Sequence, residues 1–299
     1  MKNFLQYELW KNCNNRCKFC YNLGQKNYSN IKNRLRTIIE DIKNIDYKKF
    51  SDFGITGGEF FDGQLDELDL KSDFYILINE ICKKIKEKKI IRFLVNTSFI
   101  YKSRDDIIFF IETLKHNKCL TETLFCTSFD TIHRFNESSL KTWKDNMKFL
   151  YKKYKIRIHT EIIITNDFCK KILNDEFNII DFQNKYHTFV DFIQPAVPYG
   201  LNKTKKEFEK TVKNFFPERK IFLSTIKKLQ NMGYDLTRFL SIDDHADETH
   251  CVLNGKIKNV KNRTILEKYI SPYRKPNQVG YIDSDKFMRE DVELFLLDV

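Results

Sequence analysis

Glycine and proline are scarce in this chain of 299 residues, which has nine glycines and five prolines. Low-complexity and collagen-like proteins are rich in both, so the scarcity argues against those architectures and against long disordered linkers. The sequence also lacks the run of about 18 apolar residues that a membrane-spanning helix requires. Near the start, Gln6 and Glu8 interrupt any apolar stretch long enough for a secretory signal. We therefore expect a cytoplasmic protein with no membrane partner.

Cysteine is also sparse, since the chain has only eight. That number is too small for a disulfide scaffold of this length. In a reducing compartment, clustered cysteines are more often metal ligands or reactive thiols. The one cluster consists of Cys13, Cys17 and Cys20. Four others are isolated and are expected to be packed as small hydrophobic side chains: Cys82, Cys119, Cys126 and Cys169.

The charge balance is basic, with a formal net charge of +11 and a pI of about 9.1. Such a balance suits a polyanionic partner such as RNA. The excess is lysine spread along the chain with asparagine and isoleucine, as codon bias in an AT-rich genome also produces. Charge alone therefore leaves nucleic-acid binding open.

Six short runs rich in β-forming residues alternate with stretches of helical period. The predicted strands cover residues 4–10, 52–56, 90–97, 123–129, 156–165 and 188–195. The predicted helices cover residues 31–45, 73–89, 104–117, 138–153 and 167–186. This alternation predicts an α/β fold with a parallel sheet, for which an open doubly wound sheet and a partial (βα)6 barrel both remain open.

The predicted strand at residues 156–165 favours the barrel. One of its faces is mostly isoleucine, and the other carries Arg157, His159, Glu161 and Thr165. Strands covered by helices on both sides usually read as continuous apolar runs, so a polar face indicates a lumen that holds a ligand. The alternative is an edge strand with one solvated face. In the barrel, Arg157 or His159 is expected to touch the substrate.

The alternation ends near residue 200, and residues 201–299 are predicted to form a small α+β extension. Helical patterns occur near residues 205–215 and 217–232, with Pro217 in a first-turn position and Gly233 as the stop. Asn254-Gly255 lies between two short β runs, which is a strong hairpin signal. We therefore divide the chain into a core at residues 1–200 and this extension.

The three clustered cysteines directly follow the first predicted strand, where a loop can fold three thiolates around one centre. A closed zinc site needs a fourth ligand, and the next cysteine or histidine is Cys82, in a predicted helix. A [4Fe–4S] cluster held by three thiolates instead leaves one iron open to chemistry. The cluster is therefore favoured over structural zinc.

With Phe19, the loop resembles the Cys-x-x-x-Cys-x-aromatic-Cys motif that defines the radical S-adenosylmethionine (SAM) enzymes. The resemblance implies that Cys13, Cys17 and Cys20 bind one [4Fe–4S] cluster whose open iron chelates SAM. It also implies that an electron from a donor such as flavodoxin or ferredoxin cleaves SAM to a 5′-deoxyadenosyl radical, which takes hydrogen from a substrate. In this family the residue at Phe19 packs near the adenine.

Further positions carry the resemblance at the ends of later strands. Gly57-Gly58-Glu59 follows the second strand, where a similar turn in the family binds the SAM amino group; the alternative is an ordinary tight turn. Asn96-Thr97-Ser98 and Ser128-Phe129-Asp130 resemble SAM-contacting turns, and ordinary helix N-caps are the alternative there. The resemblance also places Glu161 and Thr165 near the SAM ribose and Gln194-Pro195 in a comparable position.

The extension resembles a degenerate SPASM or twitch domain, which in this family accompanies peptide and protein modification. Cys251 precedes the predicted hairpin, and residues 279–282 look like the later turn of that domain. Because no cysteine follows Cys251, a second iron–sulfur cluster is not expected. His245, His250 and Cys251 lie in an acidic segment with Asp243, Asp244 and Asp247, which is interpreted as a solvated loop, with a second metal site as the alternative.

These features together predict a radical SAM enzyme acting on a peptide or protein side chain. A nucleoside or RNA substrate is the alternative that the basic charge favours. A non-catalytic iron–sulfur or zinc protein is the third interpretation, although it gives the Gly57–Glu59 turn no purpose. The sequence identifies no catalytic radical donor or quencher.

Overall fold

The fold is described from a computed structural model of the chain. It covers residues 3–10, 13, 15, 17, 31–44, 52–87, 92–131, 134–193, 219–234, 239–240, 248–253 and 256–260.

Strands and helices alternate over most of this range, as the sequence predicts. The strands are β1 (Asn3–Glu8), β2 (Asp52–Thr56), β3 (Arg92–Asn96), β4 (Thr123–Phe129), β5 (His159–Ile163), β6 (Phe189–Ile193), β7 (Phe239–Leu240), β8 (Glu248–Leu253) and β9 (Lys256–Val260). The helices are α1 (Ile31–Asn44), α2 (Gln64–Glu67), α3 (Lys71–Lys86), α4 (Asp105–His116), α5 (Glu137–Tyr154), α6 (Asn166–Leu173), α7 (Ile179–Tyr186) and α8 (Arg219–Asn231).

Contacts divide the chain into two compact units. Unit one takes in the described residues up to Cys126 apart from Cys17, together with β8 and β9. Its strands pair in parallel from β4 through β3 and β2 to β1, and β8 adds to the other side of β1, also in parallel. The strand β9 then pairs with β8 in the antiparallel sense. Unit one is therefore built on five parallel strands and one antiparallel strand.

Unit two takes in Cys17 and the described residues from Thr127 to Leu240. Its strands β5, β6 and β7 pair in parallel. The α/β class and the parallel pairing are thus confirmed in both units. The partial barrel stays a prediction, and the boundary expected at residue 200 lies outside the described residues.

Aromatic side chains fill the core of each unit. In unit one, Phe61 and Phe74 both pack against Phe110 of α4, with ring centroids 5.5 and 5.9 Å away. In unit two, Trp143 of α5 stacks on Phe182 of α7 at 5.7 Å. Aromatic pairs at such distances add to the free energy gained by burying their apolar area. The amphipathic helices predicted from the sequence therefore cover the sheet with their aromatic faces.

One predicted helix, at residues 167–186, is wrong as a single element. The chain forms two helices there, because Asp175 takes a left-handed conformation with φ of 62°. Asn178 then caps the second helix by accepting from the backbone N–H groups of Ile180 and Asp181. Aspartate and asparagine both tolerate such positions, and this signal was present in the sequence.

The hairpin predicted around Asn254-Gly255 is confirmed, because β8 and β9 pair as antiparallel neighbours on either side of it. His250 and Cys251 lie inside β8, so the solvated-loop interpretation is wrong for these two residues. Other residues of the proposed extension lie outside the described part: 205–215, Pro217, Asp243, Asp244, His245, Asp247 and 279–282. Earlier in the chain, α8 ends at Asn231, and Gly233, the predicted stop, follows it with φ of 78°.

None of the helices in the described part of the chain is long and apolar enough to cross a membrane.

Candidate active site

The ends of β1 and β2 are joined by three hydrogen bonds. The backbone N–H of Leu9 donates to the carbonyl of Thr56 at 2.9 Å, which extends the parallel pairing by one residue. Beyond it, the N–H of Gly58 donates to the carbonyl of Trp10 at 2.7 Å. The indole Nε1 of Trp10 in turn donates to the carbonyl of Glu59 at 2.8 Å. The Gly57–Glu59 turn is thus fastened to the residue that lies three positions before Cys13.

Gly57 is required at this turn for two reasons. Its φ is 147°, a value that side-chain-bearing residues rarely adopt. A Cβ at this position would also lie 2.3 Å from the carbonyl oxygen of Trp10. The close backbone approach that the glycine permits is therefore made to β1. Contact of Gly57 and Gly58 with SAM stays a prediction.

The carboxylate of Glu59 is buried, with the residue only 2% exposed. Its Oε1 accepts from the hydroxyl of Thr97 at 2.5 Å and from the N–H of Phe60 at 3.0 Å. Its Oε2 accepts from the N–H of Ser98 at 2.9 Å. Such donors stabilise a carboxylate that burial would otherwise penalise. The side chain of Glu59 therefore ties the end of β2 to the end of β3.

This arrangement excludes the helix-cap alternative for residues 96–98. The helix that follows, α4, has Arg104 as its N-cap, and Thr97 and Ser98 bind Glu59 instead. Asn96 is the last residue of β3, and its predicted contact with SAM remains a prediction. Thr97 lies in a turn that the sequence singled out, but its bond to Glu59 was not predicted.

Tyr101 lies close to the same carboxylate. Its burial, with the nearby charge of Glu59, holds the pKa of the phenol well above its usual range, although a hydrogen bond with Thr97 opposes the shift. The phenol therefore stays protonated at every physiological pH.

The cysteine loop is described at Cys13, Asn15 and Cys17, whereas Phe19 and Cys20 lie outside the described residues. Cys13 and Cys17 are partly accessible. The backbone N–H of Asn15 donates to Sγ of Cys13 at 3.4 Å. Accessible thiols with backbone donors fit the ligation of an iron–sulfur cluster.

Four other cysteines differ from this pair because they are buried: Cys82, Cys119, Cys126 and Cys169. Burial raises the pKa of the Cys169 thiol to about 12 and raises the pKa of Cys82 and Cys119 as well. Thiols that resist ionisation are poor metal ligands, which agrees with their predicted role as packed side chains.

The end of β4 is held by the backbone of Ser128 and Asp130. The carbonyl of Ser128 accepts from Nη1 of Arg134 at 2.9 Å, and that of Asp130 accepts from the N–H of Phe135 at 3.0 Å. The following helix, α5, is capped by Asn136, so the helix-cap alternative is wrong here too. Contact of Ser128 and Asp130 with SAM stays a prediction.

The polar face predicted for β5 exists. Ile158, Thr160 and Ile162 are buried on one side, while His159 and Glu161 are partly accessible on the other and Arg157 is exposed. Arg157 lies over the ring of Phe189 at 3.9 Å. Thr165 acts as the N-cap of α6, accepting from the N–H of Phe168 at 3.2 Å. Gln194 and Pro195 lie outside the described residues.

A carboxyl group that the sequence analysis missed completes this face. Asp191 of β6 is 3% exposed, and its Oδ2 contacts Nδ1 of His159 at 3.0 Å. It is the register partner of Glu161 on the neighbouring strand. Burial, followed by the charge of Asp191, raises the pKa of Glu161 to about 7. A lone acid in the apolar run Phe-Val-Asp-Phe-Ile was the signal available.

Among solved structures, this fold is similar to that of anSMEcpe, a radical SAM enzyme described as native with bound AdoMet. The two share a TM-score of 0.51 and 18% sequence identity, over 77% of this chain and 60% of that one. At this identity the likeness is one of fold. The chain spans only about three fifths of the length of anSMEcpe.

A second similar structure is SuiB from Streptococcus suis, with a TM-score of 0.45 and 13% identity. The similarity covers 96% of this chain and 65% of SuiB. No family model matches the sequence. No curated protein matches it either.

Proposed function

We propose that this chain is a radical SAM enzyme. The observation that carries the proposal is the junction of Trp10 with the Gly57–Glu59 turn. It fastens the turn expected to bind SAM to the strand that leads into the cysteine loop. The similarity of the fold to that of anSMEcpe, whose structure has AdoMet bound, supports the proposal.

The proposed cofactors are one [4Fe–4S] cluster and SAM. Cys13, Cys17 and Cys20 would hold the cluster, and its chemistry is the one-electron cleavage of SAM to a 5′-deoxyadenosyl radical. The donor of that electron is proposed to be a flavodoxin or ferredoxin.

The chain itself supplies rigidity and a fixed pattern of donors and acceptors. The carboxylate of Glu59 accepts hydrogen bonds from Thr97 and Ser98. Its contribution to SAM binding is therefore to hold the turn in place. The backbone of Gly58 and the side chain of Asn96 remain as proposed contacts. A fixed turn lowers the entropy lost when a ligand is bound.

The proposed architecture is a partial (βα)6 barrel with residues 201–299 as a degenerate SPASM-like extension. Parallel βα pairing in both units supports the first part of this proposal. The hairpin of β8 and β9 supports the second.

The proposed substrate is a peptide or protein side chain. Within the described residues, β9 pairs with β8 on one side alone, and an unpaired edge strand can bind an extended peptide by backbone hydrogen bonds. A nucleoside or RNA is the second candidate, because the net charge is +11. Binding that weakens steeply with salt would favour RNA over a peptide.

The test of cluster ligation is anaerobic reconstitution with iron and sulfide, followed by measurement of both per chain. The parent is expected to hold four of each, and Cys17→Ala is expected to lose most of the bound iron. Cys169→Ala is the matched control, because it removes a buried thiol outside the loop. Equal iron in Cys17→Ala and the parent would contradict the proposal and favour a different binding site.

A further inference from the structure

The polar face of β5 and β6 in unit two brings two carboxyl groups together. Glu161 and Asp191 are register partners on adjacent parallel strands, so their side chains leave the sheet on the same side. His159 lies two residues before Glu161 and therefore on that side as well. Its Nδ1 contacts Oδ2 of Asp191 at 3.0 Å. The face thus holds an imidazole, a paired carboxyl and a second carboxyl in a row.

The surroundings of Glu161 disfavour a second negative charge. Asp191 is buried on the neighbouring strand with its Oδ2 against Nδ1 of His159, and its charge adds to burial in raising the pKa of Glu161. A like charge on the neighbouring strand then costs free energy that a partly buried site screens poorly. Arg134 is the cation that opposes this effect, but its Nη1 is bound to the carbonyl of Ser128 at 2.9 Å. Asp191 and Arg134 are the charged groups that shift the pKa of Glu161, and His159 lies on the same face of β5.

We propose that Glu161 works as a neutral carboxylic acid that donates a hydrogen bond to the molecule bound against this face. The inference rests on the proposed function, since that molecule would be SAM or the substrate. A carboxylic acid selects an oxygen acceptor such as a hydroxyl or carbonyl, whereas a carboxylate selects a cation. Asp191 and His159 are then positioning residues, because they act through the protonation state of Glu161.

The first test needs neither cofactor nor activity. Glu161→Gln is close in shape to the neutral acid and carries no charge at any pH. Because the folded state holds the proton of Glu161 up to a pH of about 7, the parent loses stability relative to this variant as pH rises from the ordinary range of a glutamate. The melting temperature of the variant should therefore exceed that of the parent by an amount that grows by several degrees up to about pH 7 and is constant above it.

Glu112→Gln is the matched control, because it removes a glutamate from an exposed helix surface, where the side chain is 47% exposed. The melting-temperature difference from the parent should widen more with pH for Glu161→Gln than for this control. Asp191→Asn tests the cause. Asp191→Asn removes the neighbouring charge. At pH 8, Glu161→Gln should therefore raise the melting temperature less in the Asp191→Asn protein than it does in the parent. A difference in melting temperature between Glu161→Gln and the parent that stays constant with pH would overturn the inference.

The second test uses the reconstituted protein with SAM. Glu161→Gln, which can still donate, should keep SAM cleavage within a few-fold and should remove the loss of rate that the parent shows above pH 7. Glu161→Leu cannot donate a hydrogen bond and should lose most of the SAM cleavage. Equal losses in the Gln and Leu variants would mean that the charged form is needed, which would overturn the donor role. If no variant cleaves SAM but the melting gap still widens with pH, the proposed function fails while the neutral state of Glu161 stands.

Discussion

The indole N–H of Trp10 donates to the main-chain carbonyl of Glu59 at 2.8 Å, across 49 residues of sequence. Both residues are 2% exposed, so neither polar group has water as an alternative partner. Trp10 also accepts from Gly58 through its own carbonyl, and its ring meets Phe60 edge-on at 5.1 Å. One tryptophan therefore fixes the whole turn after β2 against the end of β1.

Replacing Trp10 by Phe should weaken this junction while keeping an aromatic ring against Phe60. The carbonyl of Glu59 would lose a buried hydrogen bond, which costs about 1–3 kcal/mol beyond the loss of ring volume. Urea unfolding measures the free energy, and iron bound after reconstitution reports on the neighbouring loop.

Trp143→Phe is the control for Trp10→Phe. Trp143 is fully buried, but its Nε1 has no hydrogen-bond partner among the described residues, so this substitution removes ring volume alone. We expect Trp10→Phe to be the more destabilising and to reduce bound iron, with Trp143→Phe leaving iron unchanged. If both variants lose the same stability and the same amount of iron, the hydrogen bond from Trp10 to Glu59 does not contribute in the way proposed.

Gly57→Ala should be among the most destabilising single substitutions in unit one. The new Cβ would lie 2.3 Å from the carbonyl oxygen of Trp10, at a φ of 147°. We expect a loss of about 3 kcal/mol or more, because both backbone strain and a backbone clash must be relieved.

Gly63→Ala separates these two causes. Gly63 also has a positive φ, of 86°, but a Cβ there would meet nothing within 4 Å. Its substitution should cost only about 1–2 kcal/mol, from the left-handed conformation alone. Unfolding midpoints in urea that are the same for both variants would show that the clash with Trp10 is absent in solution.

Thr97→Val should destabilise the protein because it removes a donor from the buried carboxylate of Glu59 without changing side-chain shape. Hydrogen bonds to charged groups contribute about 1.5–3 kcal/mol, and this one should be in that range. Thr97→Ser retains the hydroxyl and should recover most of the loss.

Thr225→Val is the control, because it measures the stability lost when a buried threonine hydroxyl away from Glu59 is removed. Its hydroxyl is buried and donates to a carbonyl inside α8, that of Ile221, at 2.8 Å. Because Ile221 is part of a helical ladder, we expect a smaller effect than for Thr97→Val. A Thr97→Val protein as stable as the parent would mean that Glu59 is held by backbone donors alone.

Sequence patterns predicted the order of elements well, because strand and helix periods are local properties of the chain. The strand at Asp52–Thr56 and the helix that ends just before Gly233 lie where the sequence pattern placed them. The parallel addition of β8 to β1 was not predicted, since pairing between residues about 245 positions apart leaves no local signal.

The candidate site was predicted in part. Glycines and cysteines at fixed spacings carry information, so the Gly57–Glu59 turn and the cysteine loop were recognisable. The sequence did not reveal the roles of Trp10, Thr97 and Asp191, because each depends on a partner far away in sequence. Ser and Thr after a strand also fit several local structures, and only the structure shows that Thr97 and Ser98 hold Glu59 instead of capping a helix.

The most direct test of the central claim is the formation of 5′-deoxyadenosine. The anaerobically reconstituted protein is reduced, SAM is added, and the nucleoside is quantified beside the Cys17→Ala variant. The account predicts that the parent forms 5′-deoxyadenosine and that the variant forms none above background. A fully assembled cluster that never cleaves SAM, with or without candidate peptides, would contradict it and favour a non-catalytic iron–sulfur protein.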